Sequence, residues 1–142
     1  MKKDQLPFGI GEDYETWEFD LIVLNYETIP FYDSYLYVGE VKKFLNILPD
    51  KTELIFSFDI LELVIITITT EDHREMEKLI DLMTKTFGDY IEHEQEYLSA
   101  CIYKLEDSNQ IWLIYSPLED ITYLAYGSPK LINHIFWKCS KE

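Results

Sequence analysis

The sequence predicts an α+β fold, a mostly antiparallel sheet with two to three helices packed on one face. Residues 61–69 are aliphatic or β-branched almost throughout, too short for a bilayer span and too rich in Ile, Val and Thr to prefer a helix. They read as a strand buried on both faces, at the centre of a sheet. Directly after it, Met76, Leu79, Ile80, Met83 and Phe87 recur at spacings of three and four, one stripe of a helix that docks on the sheet, while Glu75, Lys78, Asp81 and Lys85 point away. Beyond that helix, short strands follow one another through short links. Strand and helix do not alternate strictly, which favours antiparallel neighbours over a parallel α/β sheet.

Residues 1–11 carry Pro7, Gly9 and Gly11 with little periodicity and form an irregular N-terminal arm of a single domain spanning residues 1–142. The Gly-x-Gly is no phosphate loop, because a nucleotide fingerprint needs a strand before it and a helix after it, and here the acidic pair Glu12-Asp13 follows. Residues 17–26 alternate in part, with Phe19, Leu21 and Val23 against Asp20, Ile22 and Leu24, and read as the first strand. A turn-rich connection around Pro30 leads to residues 35–38, which are either a short strand or the first turn of a helix. Val41, Phe44, Leu45 and Leu48 repeat the helical spacing, and Pro49-Asp50 ends that first helix.

Residues 53–59 and 61–69 are either the arms of a hairpin, which is preferred although its turn lacks Asn-Gly, or one long strand bent by a bulge. Thr69 and Thr70 can cap the next helix, Glu71 and Asp72 lie near its positive end, and Gly88 suits the left-handed position at its close. Residues 97–105 and 111–115 are strands joined by the Asp-Ser-Asn turn within residues 106–110. Residues 121–126 add another strand, and Leu131, Ile132, Ile135 and Phe136 make a short C-terminal helix.

At 142 residues and 47% hydrophobic composition the chain is long and apolar enough to fold. A domain of this size buries roughly two thirds of the surface its unfolded chain exposes. Asp and Glu number 27 against 12 Lys and Arg, a formal net charge of -15. That field repels phosphate backbones and anionic membranes and speeds encounter with basic partners, so neither direct nucleic-acid binding nor membrane binding is expected. It also keeps a cytosolic protein in solution. Met1-Lys2-Lys3 has the charge of a signal peptide's start, but Asp4 and Gln5 follow and no apolar run comes before Gly9. Cys101 and Cys139 lie far apart without Cys-x-x-Cys spacing. They read as reduced thiols, and the expected location is the cytoplasm.

Candidate chemistry is sparse. No Gly-x-Ser-x-Gly, Walker-type loop or Cys-His signature is present, so no catalytic residue is assigned and no cofactor is expected. His73, His93 and His134 lack the spacing of a helical zinc site. Glu92, His93, Glu94 and Glu96 offer ligand atoms, yet alternating glutamates are more simply a solvated face, and no metal is expected. Paired carboxylates acting as acid and base would need a cleft that shifts their pKa values apart, and the sequence displays none.

The more informative pattern mixes acid with aromatic. One run holds Glu12, Asp13, Tyr14, Glu15, Trp17 and Glu18, a second holds Tyr26, Glu27, Phe31, Tyr32, Asp33, Tyr35 and Tyr37, and a third holds Glu92, Glu94, Glu96 and Tyr97. Tyr and Trp supply rigid amphipathic contact area, and carboxylates pair with Lys or Arg of a basic partner. Glu12, Asp13, Tyr14, Glu15, Trp17, Asp33, Tyr35, Glu92, Glu94 and Glu96 are therefore the candidate partner-binding residues, expected to converge on one outward-facing platform. The competing expectation is that the rings are half-buried at the edges of the sheet.

A small acidic α+β domain without catalytic motifs, carrying the run Glu12-Asp13-Tyr14-Glu15-Thr16-Trp17-Glu18, resembles the immunity proteins of bacterial toxin systems. The resemblance is one of type across the whole chain. It implies a protein that neutralises a cognate toxin, often a basic nuclease, by covering its active site or a neighbouring surface. Two other functions fit the composition: a hydrolase or lyase using buried carboxylates, and a ligand-binding or dimerising regulatory domain. A pocket with two pKa-shifted carboxylates would mark the former, and a large exposed apolar patch the latter.

Overall fold

The structure is a computed structural model that describes residues 6–24, 29–69, 73–95 and 97–136. Eight strands form one antiparallel sheet: β1 (Leu21–Val23), β2 (Asp33–Tyr37), β3 (Lys51–Ser57), β4 (Ile60–Thr69), β5 (Tyr90–Glu94), β6 (Ser99–Lys104), β7 (Gln110–Ser116) and β8 (Ile121–Gly127). Their spatial order is β1-β2-β3-β4-β8-β7-β6-β5, so two four-stranded meanders meet where β4 pairs with β8. Helix α1 (His73–Phe87) follows the first meander and α2 (Pro129–Phe136) follows the second.

The expected central strand is β4. Paired on both sides, it alternates Val64, Ile66 and Ile68 into one core and Leu63 and Ile65 into another, as a period of two requires. On the first face the α1 residues Leu79, Met83 and Phe87 pack with Phe8, Phe44, Tyr103 and Tyr126. The α1 stripe is as expected, with Met76 and Ile80 half-buried beside it and Glu75, Lys78, Asp81 and Lys85 exposed. On the second face Leu131 and Ile132 of α2 pack with Ile29, Trp112, Ile114 and Ala125. The antiparallel sheet and its docked helices are thus present, and the helices divide between the two faces. Gly127 lies just before α2 with φ 137°, and a Cβ built there would stand 2.2 Å from the Glu62 carbonyl, so only glycine fits.

Several elements differ from the sequence expectation. Residues 41–48 are not a helix: Leu45 and Asn46 are left-handed (φ 48° and 68°), and Phe44 and Ile47 exchange two backbone hydrogen bonds across that turn (3.0 and 2.8 Å). Of the four apolar residues that suggested a helix only Phe44 is buried, stacked on Phe87 at 6.4 Å. A single anchoring ring fixes a loop, whereas a helix this short needs a whole docked face. The first strand shrinks to Leu21–Val23, because Tyr14–Thr16 and Glu18–Asp20 form 3-10 turns; Tyr26 lies outside the described residues. Of the undecided segment at 35–38, Tyr35 to Tyr37 belong to strand β2 and Val38 lies just past its end. Strands β3 and β4 are a hairpin closed by Phe58 and Asp59, not one long bent strand, and its ladder carries a register shift between Ile55 and Phe56. Strand β5 went unforeseen, since all five of its residues are exposed and no burial period marks it.

Gly88 takes the expected left-handed position (φ 99°), its N–H donating to the Thr84 carbonyl at 2.9 Å. The proposed caps Thr70, Glu71 and Asp72 lie outside the described residues. Residues 6–11 of the N-terminal arm are irregular, yet anchored: Phe8 is buried, and the Tyr126 hydroxyl accepts its N–H (3.0 Å) and donates to its carbonyl (2.8 Å). Among the described residues no helix is long and apolar enough to cross a membrane.

Candidate interaction surface

Tyr14 of the first acid-aromatic run meets Asp33 and Tyr35 of the second at one end of the sheet, while Tyr32 packs on the opposite face and Tyr26 and Glu27 lie outside the described residues. The arm runs past the start of β4, where Gly11 N–H donates to the Leu61 carbonyl (2.8 Å) and Leu61 N–H to that of Glu12 (2.9 Å). Asp13 bridges Ile60, and Tyr14 N–H donates to the Asp59 carbonyl at 2.7 Å. These bonds lay the Tyr14 ring beside Tyr35 of β2 (5.2 Å between centroids) and against Phe56 of β3 (5.6 Å, 78°), while Tyr35 meets Phe56 edge-on (5.6 Å, 79°). Offset and edge-to-face contacts of this kind are the favourable geometry for rings. Burial first, then electrostatic repulsion from Tyr14, Asp33 and Asp59, pushes the Tyr35 hydroxyl above its ordinary value. Asp13, Glu15, Asp33 and Asp59 are exposed around this cluster.

Two phenylalanines complete the surface. Phe31, just before β2, is 96% exposed and Phe58, in the β3–β4 turn, 95%; because Asp33 pairs with Phe56, both stand at the same end of the sheet. Both have left-handed backbone, with φ 72° and 50°. A bulky side chain in that region is uncommon, and strained positions cluster at functional sites. Phe31 belonged to the second run in the sequence, but Phe58 and Asp59 were missed. The available signal was a tight two-residue turn without Asn-Gly.

The remaining predicted residues have other places. Glu12 Oε1 accepts hydrogen bonds from Gly9 N–H (3.0 Å) and Trp17 Nε1–H (3.3 Å), so this carboxylate organises the arm. Trp17 is half-buried against Phe8 (4.9 Å) and Tyr37 (6.2 Å), with Lys42 Nζ 5.2 Å from its ring centroid. Glu92 and Glu94 are exposed on β5, six strand steps from β2 across the sheet. At about 4.8 Å per step that is roughly 29 Å, so the third run does not join the other two. Glu96 lies outside the described residues. The expected single platform of three runs is therefore corrected to a smaller surface drawn from parts of two, and the rings Tyr14, Trp17 and Tyr35 are half-buried, as the competing expectation held.

Elsewhere the described residues offer little for chemistry. The buried Cys101 thiol is pushed up to about 11 by burial and by the nearby charge of Glu92, the opposite of an activated nucleophile. No group of three or more His, Cys, Asp or Glu among the described residues could hold a metal ion. An open groove of about 440 Å³ lies between Ile47, Leu48, Ile68, Leu79 and Leu82 and contains one carboxylate, Glu75. Another, of about 510 Å³, runs between Ile29, Tyr32 and α2 and also contains one, Glu62. Neither groove pairs two carboxylates, which acid-base catalysis by that route requires; Glu106 and Asp107 do line one pocket together, beside Leu6 and Ile10 of the arm, but it is small, at about 40 Å³. Against known proteins, the chain matches no protein-family model, no curated protein and no solved structure.

Proposed function

We propose that this chain is a non-enzymatic binding protein that captures a basic protein partner, in the manner of an immunity protein neutralising a toxin in the cytoplasm. Phe31 and Phe58 carry the proposal, two rings held above 90% exposure on left-handed backbone and framed by Asp13, Glu15, Asp33 and Asp59. Rings of this kind anchor interfaces once desolvated, and carboxylates around them steer a basic surface into place. Tyr14 and Tyr35 broaden the apolar floor, and an interface of standard size would cover about 800 Å² of this chain.

A dimerising domain is the second reading, favoured by the exposed Phe19, Ile22 and Val23 near the same edge. Two copies would bring together surfaces of a chain with net charge -15, which opposes that pairing and favours a basic partner.

The test is affinity capture by the full chain from an extract of its source organism, at low and high salt, with two variants alongside. Wild type should retain a basic protein that both Phe31→Ser/Phe58→Ser and Asp13→Asn/Asp33→Asn/Asp59→Asn release. Retention unchanged in both variants would remove this end of the sheet from the interface.

A further inference from the structure

The two outer strands of the sheet are built differently. Strand β5 presents Glu92 and Glu94, charged side chains of the kind by which proteins discourage another strand from pairing at an edge. Strand β1 has no such guard: it reads Leu21, Ile22, Val23, with Ile22 and Val23 53% and 64% exposed, and among the described residues no strand lies beyond it.

The hydrogen-bond pattern shows what that edge offers. Leu24 N–H donates to the Ser34 carbonyl (3.0 Å) and Val38 N–H to that of Asp20 (2.8 Å), so Asp20, Ile22 and Leu24 turn their backbone groups toward β2. Alternate residues of an antiparallel strand face the other way, and Leu21 and Val23 therefore aim their N–H and C=O groups outward. Val23 pairs across β2 with Tyr35, which makes the open edge continuous with the acidic-aromatic end. Glu15, Glu18 and Asp33 are exposed along that approach, and Phe19 is 93% exposed beside it.

We propose that β1 receives an extended basic segment of the partner, which adds to the sheet as a further strand by bonding to Leu21 and Val23. Main-chain bonds along the open edge hold such a segment, alternate apolar side chains cover Ile22 on one face, and the Lys or Arg residues between them lie on the opposite face, which Val23 shares with Tyr35 and Asp33, where they meet the carboxylates. The inference rests on the preceding reading that the partner is basic.

The experiment uses the full chain and an eight-residue peptide alternating Lys and Val, alongside the same peptide with alternate amides N-methylated. Amide hydrogen exchange is read by NMR. The unmodified peptide should slow exchange at Leu21 and Val23 by about tenfold or more, in a salt-sensitive manner, whereas β5 amides stay unchanged. N-methylation of the peptide and the Val23→Pro substitution, which removes an outward N–H and spares those facing β2, should each weaken binding by about tenfold. The peptide control needs no variant to fold. Equal affinity for both peptides, protection at β5 instead, or no binding of either peptide would overturn the strand addition. Protection that grows with protein concentration in the absence of peptide would also overturn it, in favour of a second copy. Salt-sensitive peptide binding abolished by Asp13→Asn/Asp33→Asn/Asp59→Asn but without protection at Leu21 and Val23 would sink this inference alone and leave the acidic surface standing.

Discussion

A phenylalanine ring left in water forgoes about 1.5–3 kcal/mol that burial would contribute, and Phe58, 95% exposed, gains none of it where it stands. Phe58→Ser should leave the unfolding free energy from urea denaturation within about 0.5 kcal/mol of wild type while weakening capture of the partner. Tyr126 is the opposite case. Its buried hydroxyl satisfies both backbone groups of Phe8, and Tyr126→Phe should cost about 1–3 kcal/mol in urea denaturation because those groups would remain buried without a partner. Burial raises Cys101 from 9.0 to about 11 and Tyr103 from 10.0 to about 12. The unfolded chain releases those protons first, so the stability they contribute is full below pH 9.0 and is lost as pH rises through about 11 and 12. Urea midpoints measured on both sides of that window should fall with rising pH, and Cys101→Ala should lessen the fall. At this scale the sequence was partly legible: Tyr14, Asp33 and Tyr35, three of the candidate partner-binding residues, do lie beside one another. Phe58 was not among those candidates, because an apolar residue between two strands looks like core until the turn is known.

The elements read well from sequence wherever burial imposes a period, and poorly where it does not. Strand β4 and helix α1 bury a clear pattern and were legible almost to the residue. Strand β5 buries nothing, and the loop at 41–48 mimics a helix because Val41, Phe44 and Leu48 carry the spacing although only Phe44 finds a core. The β3–β4 turn joins element to function. Phe58 and Asp59 are both left-handed (φ 50° and 66°), the geometry that Asn-Gly adopts most easily. Replacing the pair by Asn-Gly should stabilise the hairpin by about 0.5–2 kcal/mol and at the same time impair partner capture. A gain in stability without loss of capture would mean that the turn serves neither purpose.

Across the whole molecule, the order of the strands decides what a composition of 27 acidic residues can do. The two meanders carry parts of the first and second acid-aromatic runs to one side and place Glu92 and Glu94 on the far edge, a separation that no reading of local spacing could supply. Long-range register is what the sequence hides, since β4 pairs with β8 more than fifty residues later. In the proposed function the surplus charge would act in two ways: it would steer a basic partner from a distance, and near β1 and the Phe31–Phe58 end it would meet apolar groups able to hold what arrives. The association rate of the captured partner, followed against ionic strength for wild type and for Asp13→Asn/Asp33→Asn/Asp59→Asn, tests that account most directly. Wild type should slow steeply as salt rises and the variant should begin slower and respond less; identical salt dependence in the two proteins would contradict it.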